Sequence, residues 1–257
     1  MVHTAFRSQS AARLVAAAIL SAMTLASPAA HAWSWGWGNG TKGSGNVITS
    51  TRTLTGFQGV ELEVPADVKL VQGSTESVVL ETDDNIAPLI ETVVEQGQLL
   101  VRMAKRGDNI QTKTLRITIT APSFTALSVS GSGTVRADAL QTPKLKTSIS
   151  GSGDMRLQKL AVGELTIAIS GSGDFEANGY ADAMKVSIAG SGDVRTKGLE
   201  AKQVKVNIAG SGNATVWATE ALHVSVAGSG DVQYYGDPAV KKSIAGSGSV
   251  RRLDSKP

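Results

Sequence analysis

Asp154, Asp174 and Asp193 each follow a Gly-Ser-Gly triplet directly, and Asp231 regains that placement after Asn213 interrupts it. Carboxylates repeated at one interval can assemble the oxygen ligands of a calcium site. Left unbalanced, neighbours one repeat apart repel by about 1 kcal/mol in water, so something must offset them. A counter-charge stands two residues further along, where Arg136, Arg156, Glu176, Arg195, Thr215, Gln233 and Arg251 form a second column. Residues i and i+2 of an extended chain share a face, which puts arginines within reach of the acids. The balance is read as ion pairing, with each Asp also bonding its turn backbone. Calcium at Asp154, Asp174 and Asp193 is the alternative, and no metal or cofactor is expected.

Other chemistry has few footholds. Asp174, Glu176 and Arg195 offer the two carboxylates and a cation that a polysaccharide lyase or hydrolase would draw on. Seven serines, from Ser132 to Ser247, occupy the middle of seven triplets. A nucleophile needs one activated environment with a base in reach; seven equivalent positions imply turns, with hydroxyls bonded to backbone. His223 is the only histidine once His3 and His31 depart with an N-terminal leader, and the chain has no cysteine. Zinc sites built from His and Cys are excluded, and a Ser-His-Asp triad would have to use His223, which the alternation points outward. Trp33, Trp35 and Trp37 are binding candidates, able to stack on sugar rings or to sit at a membrane interface; otherwise they mark an aromatic tether.

The elements that carry these residues are legible from the repeat. Triplets begin at Gly131, Gly151, Gly171, Gly190, Gly210, Gly228 and Gly246, spaced 20, 20, 19, 20, 18 and 18 residues apart. Two residues before them stand Val129, Ile149, Ile169, Ile188, Ile208, Val226 and Ile244, all β-branched. Two residues after each last glycine stand Val135, Met155, Phe175, Val194, Ala214, Val232 and Val250. Alternation on both sides of a glycine turn gives strand, corner, strand. Hairpins do not require one residue type at one place in every repeat, whereas stacked coils do, because equivalent side chains then pack about 4.8 Å apart. The expected fold is all-β: a parallel β-helix or β-solenoid of roughly 20-residue coils over residues 123–252.

Residues 47–122 are expected to form a cap and degenerate coils. Residues 60–70 parallel 127–137 with Pro65-Ala66 in place of the triplet, Leu115, Ile117 and Ile119 alternate alike, and residues 84–91 suit one helical turn. A cap is needed because an open parallel edge invites aggregation; at the other end residues 253–257 form a charged tail closed by Pro257. Before the cap, residues 33–46 are glycine-rich and expected to be a flexible linker.

Residues 1–32 read as a secretory signal: Arg7 and Arg13, an apolar run over 14–25, then Ala30-His31-Ala32. That run is too short for a stable bilayer span, no later segment is expected to cross a membrane, and without cysteine no lipidated N-terminus is expected. The full chain has 25 Lys+Arg against 22 Asp+Glu. Two of the arginines and none of the acids belong to the leader, so the exported part is near neutral and carries no footprint for nucleic acid.

These motifs together resemble the bacterial head GIN domain family, labelled auto-transporter adhesin and otherwise a domain of unknown function. The resemblance rests on Arg52-Thr53-Leu54-Thr55-Gly56-Phe57, on Leu115 to Ala121 leading to Pro122, and on the Ile-Ser-Gly-Ser-Gly-Asp and Ile-Ala-Gly-Ser-Gly-Asp repeats at Ile149, Ile169 and Ile188. It spans about residues 47–252. It implies a β-helix-like fold, a periplasmic or cell-surface setting and no assigned catalytic residues. Membership would also imply a translocating barrel, but the sequence ends straight after the array, so self-translocation is not expected. The function expected is an exported, non-catalytic scaffold that binds a glycan or a cell-envelope protein. The alternatives are a polysaccharide-acting enzyme and a structural envelope component.

Overall fold

The computed structural model describes residues 40–254; the expected leader and Trp33, Trp35 and Trp37 lie outside them. In the array the chain winds round three faces per coil. One coil runs along the first face to Gly151, turns at Gly151-Ser152-Gly153, follows the second face from Asp154 to Leu157, and crosses the third at Leu160 to Val162. Inward positions alternate as the pleat demands: Leu145, Thr147 and Ile149, then Met155 and Leu157, then Leu160 and Val162 are all buried.

Successive coils pair in parallel and in register. Ile149 lies against Ile169, then Ile188, Ile208, Val226 and Ile244. Val129 and Leu62 extend the column toward the N-terminal end. The result is a β-solenoid of about six turns with one continuous aliphatic core. Burying each Val or Ile contributes about 1.5–3 kcal/mol before chain entropy is charged. Buried Thr147 and Thr196 keep their hydroxyls satisfied by donating to the carbonyls of Thr166 and Thr215 in the next coil. Spacings of 19 and 18 are absorbed away from the triplet, by irregularities at Leu157/Leu160, Glu176/Asn178, Thr196/Glu200 and Ala201/Gln203.

Both glycines of the triplet are needed, for different reasons. Gly171 has φ of +129°, and a Cβ there would collide with the carbonyl oxygen of Gly151 beneath it. Gly173 points inward, where a Cβ would sit 2.6 Å from Cγ2 of Ile149. Between them Ser172 donates its backbone N–H to the Gly151 carbonyl at 2.8 Å. The triplet hydroxyls, expected to bond backbone, have no partner among the described residues; from Ser152 onward the serine amide makes that bond instead.

At the N-terminal end the coils stack out of sequence order. Gly59–Leu62 and Asp67–Gln72 form a coil whose register on 126–137 matches the parallel read from sequence, Val68 opposite Val135 and Leu70 opposite Ala137. The chain then leaves the stack, and Gln98–Met103 and Leu115–Ala121 return as a coil on the far side of 59–72. Antiparallel strands close both sheets: Ile90–Glu95 on the first face, Ser77–Asp83 and then Val47–Arg52 on the second. The expected helical turn is a 3₁₀ turn at Ala87–Leu89. The last residues of the expected linker are tied down. Thr41–Lys42 pairs with Ile110–Gln111, and the amides of Ser44 and Gly45 donate to the side chains of Asn85 and Asp83.

Candidate functional site

The second face carries the acidic column. One guanidinium, Arg195, donates to Asp174 at 2.7 Å and to Asp193 at 2.8 Å, so it bridges two coils. Arg156 donates to Asp154 at 3.0 Å and stands 4.0 Å from Glu176. The hydrogen bond to Asp174 is the main reason the Arg195 pKa is raised further, opposed by partial burial and supported by the charges of Asp174 and Asp193.

Further along, this column changes chemistry. Asp193 accepts from the amide N–H and the side-chain nitrogen of Asn213, at 3.2 and 3.1 Å. The Asn213 side-chain oxygen accepts from the N–H of Asp231, whose carboxylate accepts from the N–H and hydroxyl of Ser249, at 2.8 and 2.7 Å. Asn213 therefore continues the ladder, because its amide offers a donor to one coil and an acceptor to the next. The acids expected to cap their own turns bond to arginine or to the following coil. No cluster of three or more metal-ligating side chains occurs among the described residues.

Asp174, Glu176 and Arg195, the residues an enzyme would use, are thus brought together, but as parts of an open ion-pair ladder. The larger surface clefts sit on the other faces or at the cap. His223 is exposed on the first face, with neither a serine nor an acid bonded to it.

On the third face a cleft of about 620 Å³ runs past Gln72, Thr142, Pro143, Tyr180 and Asp182. Tyr180 donates its hydroxyl to Asp182 at 2.7 Å, and Lys202 donates to the same carboxylate at 2.8 Å while lying 5.7 Å from the Tyr180 ring centroid. These hydrogen bonds, the one from Lys202 foremost, hold the Asp182 carboxyl below its usual range. Sequence reading missed this group because its members come from two coils and follow no column pattern.

The first face is different again. One outward row consists of Lys146, Thr166, Lys185, Lys205, His223 and Lys241, aligned coil to coil. Beside them runs a strip of small side chains, Ser148, Ala168, Ser187, Asn207 and Ser225, lining a shallow trough of about 480 Å³. Its continuation toward the last coil, about 220 Å³, is lined by Lys205, His223 and Lys241 among others.

The fold matches solved structures over most of its length. A protein from Bacteroides fragilis described as a putative adhesin shares 25% identity, with a TM-score of 0.78, covering 83% of this chain and all of that one. One from Parabacteroides distasonis described as a putative lipid binding protein also shares 25%, with a TM-score of 0.69, covering 83% of this chain and 99% of its own. Another adhesin-labelled protein from Parabacteroides distasonis, at 23% identity and a TM-score of 0.66 over 84% of this chain and all of that one, supports the fold alone. No curated protein matches the chain. Residues 56–238 match the family model described as putative auto-transporter adhesin, head GIN domain, a narrower span than the 47–252 expected from the motifs. With its triplet corners, stacked branched columns and matched span all agreeing, this chain belongs to the head GIN domain family.

Proposed function

We propose that this protein is an exported, non-catalytic scaffold that binds a glycan or an envelope protein at the cell surface or in the periplasm. The observation that carries the reading is the regularity of the flat faces: each coil adds outward side chains in register with those of the coil before it, one step further along the axis. Such a surface binds in proportion to the length engaged, whereas catalysis needs one exceptional place. The adhesin label of the family, and of the Bacteroides fragilis neighbour, supports this direction. The lipid-binding description belongs to the Parabacteroides distasonis neighbour. Here aliphatic columns fill the interior, so any lipid would have to lie outside.

The test is a screen of the exported chain against glycans and isolated envelope fractions, with calcium and with chelator. Binding is expected, and removing one coil by deleting residues 154–173, which joins Gly153 to Asp174, is expected to weaken it severalfold. Turnover of a glycan that disappears in Asp174→Asn would overturn the reading. Binding lost on chelation would instead turn the acidic column into a calcium site.

A further inference from the structure

The two charged faces are not equivalent. On the second face the arginines at 156 and 195 are neutralised in place by Asp154, Asp174 and Asp193. On the first face the strands 183–190, 203–210, 221–228 and 239–246 contain Lys185, Lys205, His223, Lys241 and Lys242 and no carboxylate at all. Lys146, Lys185, Lys205 and Lys241 make no ion pair among the described residues, while Lys144, on the same face, is held by Glu164 at 2.7 Å. Four ammonium groups on one line, fixed by sheet register, repel one another. On the neighbouring face Arg156 and Arg195 are compensated; these four lysines are not.

The stripe beside the lysines is likewise not used by the fold. The side chains of Ser148, Ser187, Asn207 and Ser225 have no hydrogen-bond partner among the described residues. Beyond them, toward the corner, lie the methyl groups of Ala189, Ala209 and Ala227. Across the face the coils at 183–190, 203–210 and 239–246 therefore each present a lysine, then a hydroxyl or amide, then an alanine methyl. The coil at 221–228 does so with His223 in the lysine's place, and 164–171 departs, with Thr166, Ala168 and Ser170. Neighbouring coils are about 4.8 Å apart along the axis.

We infer that the first face is the binding surface and that its ligand is a linear, carboxylate-bearing glycan laid along the solenoid axis. This rests on the scaffold reading above and names its face and ligand class. Carboxylates of an extended uronate chain meet the lysines, its hydroxyls meet the Ser and Asn stripe, and C–H faces of the rings rest on the alanines. Sugar rings fit because the outward side chains of the trough are serines and alanines apart from Asn207. Long-range attraction over several coils raises the encounter rate and is screened by salt.

The experiment measures binding of the exported chain to polygalacturonate at low and high salt. Poly-L-glutamate, neutral dextran and vesicles containing anionic phospholipid serve as separate arms. Polygalacturonate is expected to bind, and to lose about tenfold or more when ionic strength rises from roughly 0.05 to roughly 0.5 M. Lys185→Ser with Lys205→Ser, both exposed and free of ion pairs, is expected to cost at least tenfold with unchanged thermal stability. Arg251→Ser, on the second face, should leave affinity unchanged. A second variant, Ala209→Glu, puts a carboxylate in the trough and should weaken binding without removing a lysine.

Equal binding of poly-L-glutamate would overturn the sugar assignment, and stronger binding of anionic vesicles would make the partner a lipid surface. An equal loss in the Arg251 variant would reduce the effect to net charge. Absence of polygalacturonate binding would overturn this inference alone if the chain still captures a neutral glycan, and the scaffold reading as well only if every glycan and envelope fraction fails.

Discussion

The two ends of the solenoid stop the same parallel stack by different means. At the N-terminal end, the outermost parallel coil is given hydrogen-bonding partners. Antiparallel strands pair with the outermost coil on two faces, and on the third face one side chain acts as the missing strand. Gln72 accepts from the N–H of Gln141 at 2.8 Å and donates to the carbonyls of Gln141 and Pro122 at 2.9 and 3.0 Å. At the C-terminal end nothing among the described residues covers the last coil. Strand Ala239–Gly246 is exposed throughout, with Val240 and Ile244 at 37% and 38% exposure where their counterparts inside the array are buried. Lys242 occupies the column filled by Ile167, Val186, Val206 and Val224 in preceding coils. One end is satisfied by partners, and the other is defended by a charge placed where a partner coil would need an apolar residue.

The severest way to break this comparison is to create a third end in the middle. Gly171→Ala puts a Cβ against a backbone carbonyl that cannot move without shifting the coil below, and it does so at positive φ. We expect about 3 kcal/mol or more of destabilisation, read by denaturant unfolding. Gly131→Ala is the matched control. Its φ is +117°, yet a Cβ would meet nothing within 4 Å, because the coil beneath turns through Pro65-Ala66 on another path. Only conformational strain remains there, about 1–2 kcal/mol. Equal losses at the two positions would mean that coil contact contributes nothing to the triplet.

The N-terminal closure is next in size. Gln72→Ala removes three hydrogen bonds and exposes the edge of the third face, with an expected cost of about 1–2 kcal/mol. Gln72→Glu keeps the shape but replaces the two donated bonds with a carboxylate facing carbonyl oxygens, and should be worse than alanine. Amide exchange at Gln141 is the direct measurement, since that N–H loses its acceptor in the alanine variant and keeps one, in a strained setting, in the glutamate variant.

How far these features were legible follows from their periodicity. The branched columns, the corner glycines and the coil at 59–72 could be read because each repeats a pattern at a fixed interval. The Asp and Arg columns could be read for the same reason, including their mutual balance. Gln72 could not. It acts once, on a residue 69 positions away, and it is the stacking of the 67–72 strand on 134–137 that leaves it beside Gln141. The lysine ladder was present in the sequence at the correct spacing, but Thr166 and His223 interrupt it, and its significance lies in what is absent around it. An unpaired charge becomes visible only when the neighbours are known.

A smaller test uses pH at the N-terminal end. Hydrogen bonds from Ser44 and then from Asn46 hold the Asp84 carboxyl below its usual pKa. A depressed folded pKa contributes stability above the unfolded value and loses it as pH falls through the folded one. Acidification past the ordinary carboxylate range should therefore release residues 43–46, seen as faster exchange of the Ser44 and Gly45 amides, while the array stays folded. Asp84→Asn should abolish that pH dependence. Unchanged protection of those amides below the carboxylate range would mean that Asp83 and Asn85 hold the segment without it.

The smallest expected change in the monomer is at the open end, and it is the most informative about why the two ends differ. Lys242→Val restores the apolar column to the last coil, but the position is exposed, so little area is removed from water. Stability should move by no more than about 0.5 kcal/mol. Self-association should change far more. With Val240, the introduced valine and Ile244 in one row beside an unpaired parallel edge, the last coil becomes a template for another strand. Sedimentation at rising concentration should show a monomeric parent and a self-associating variant, and Lys242→Arg should remain monomeric. If the valine variant also stays monomeric, the inward lysine is not what keeps this end free, and Lys241, Arg251 and Arg252 are the next charges to remove.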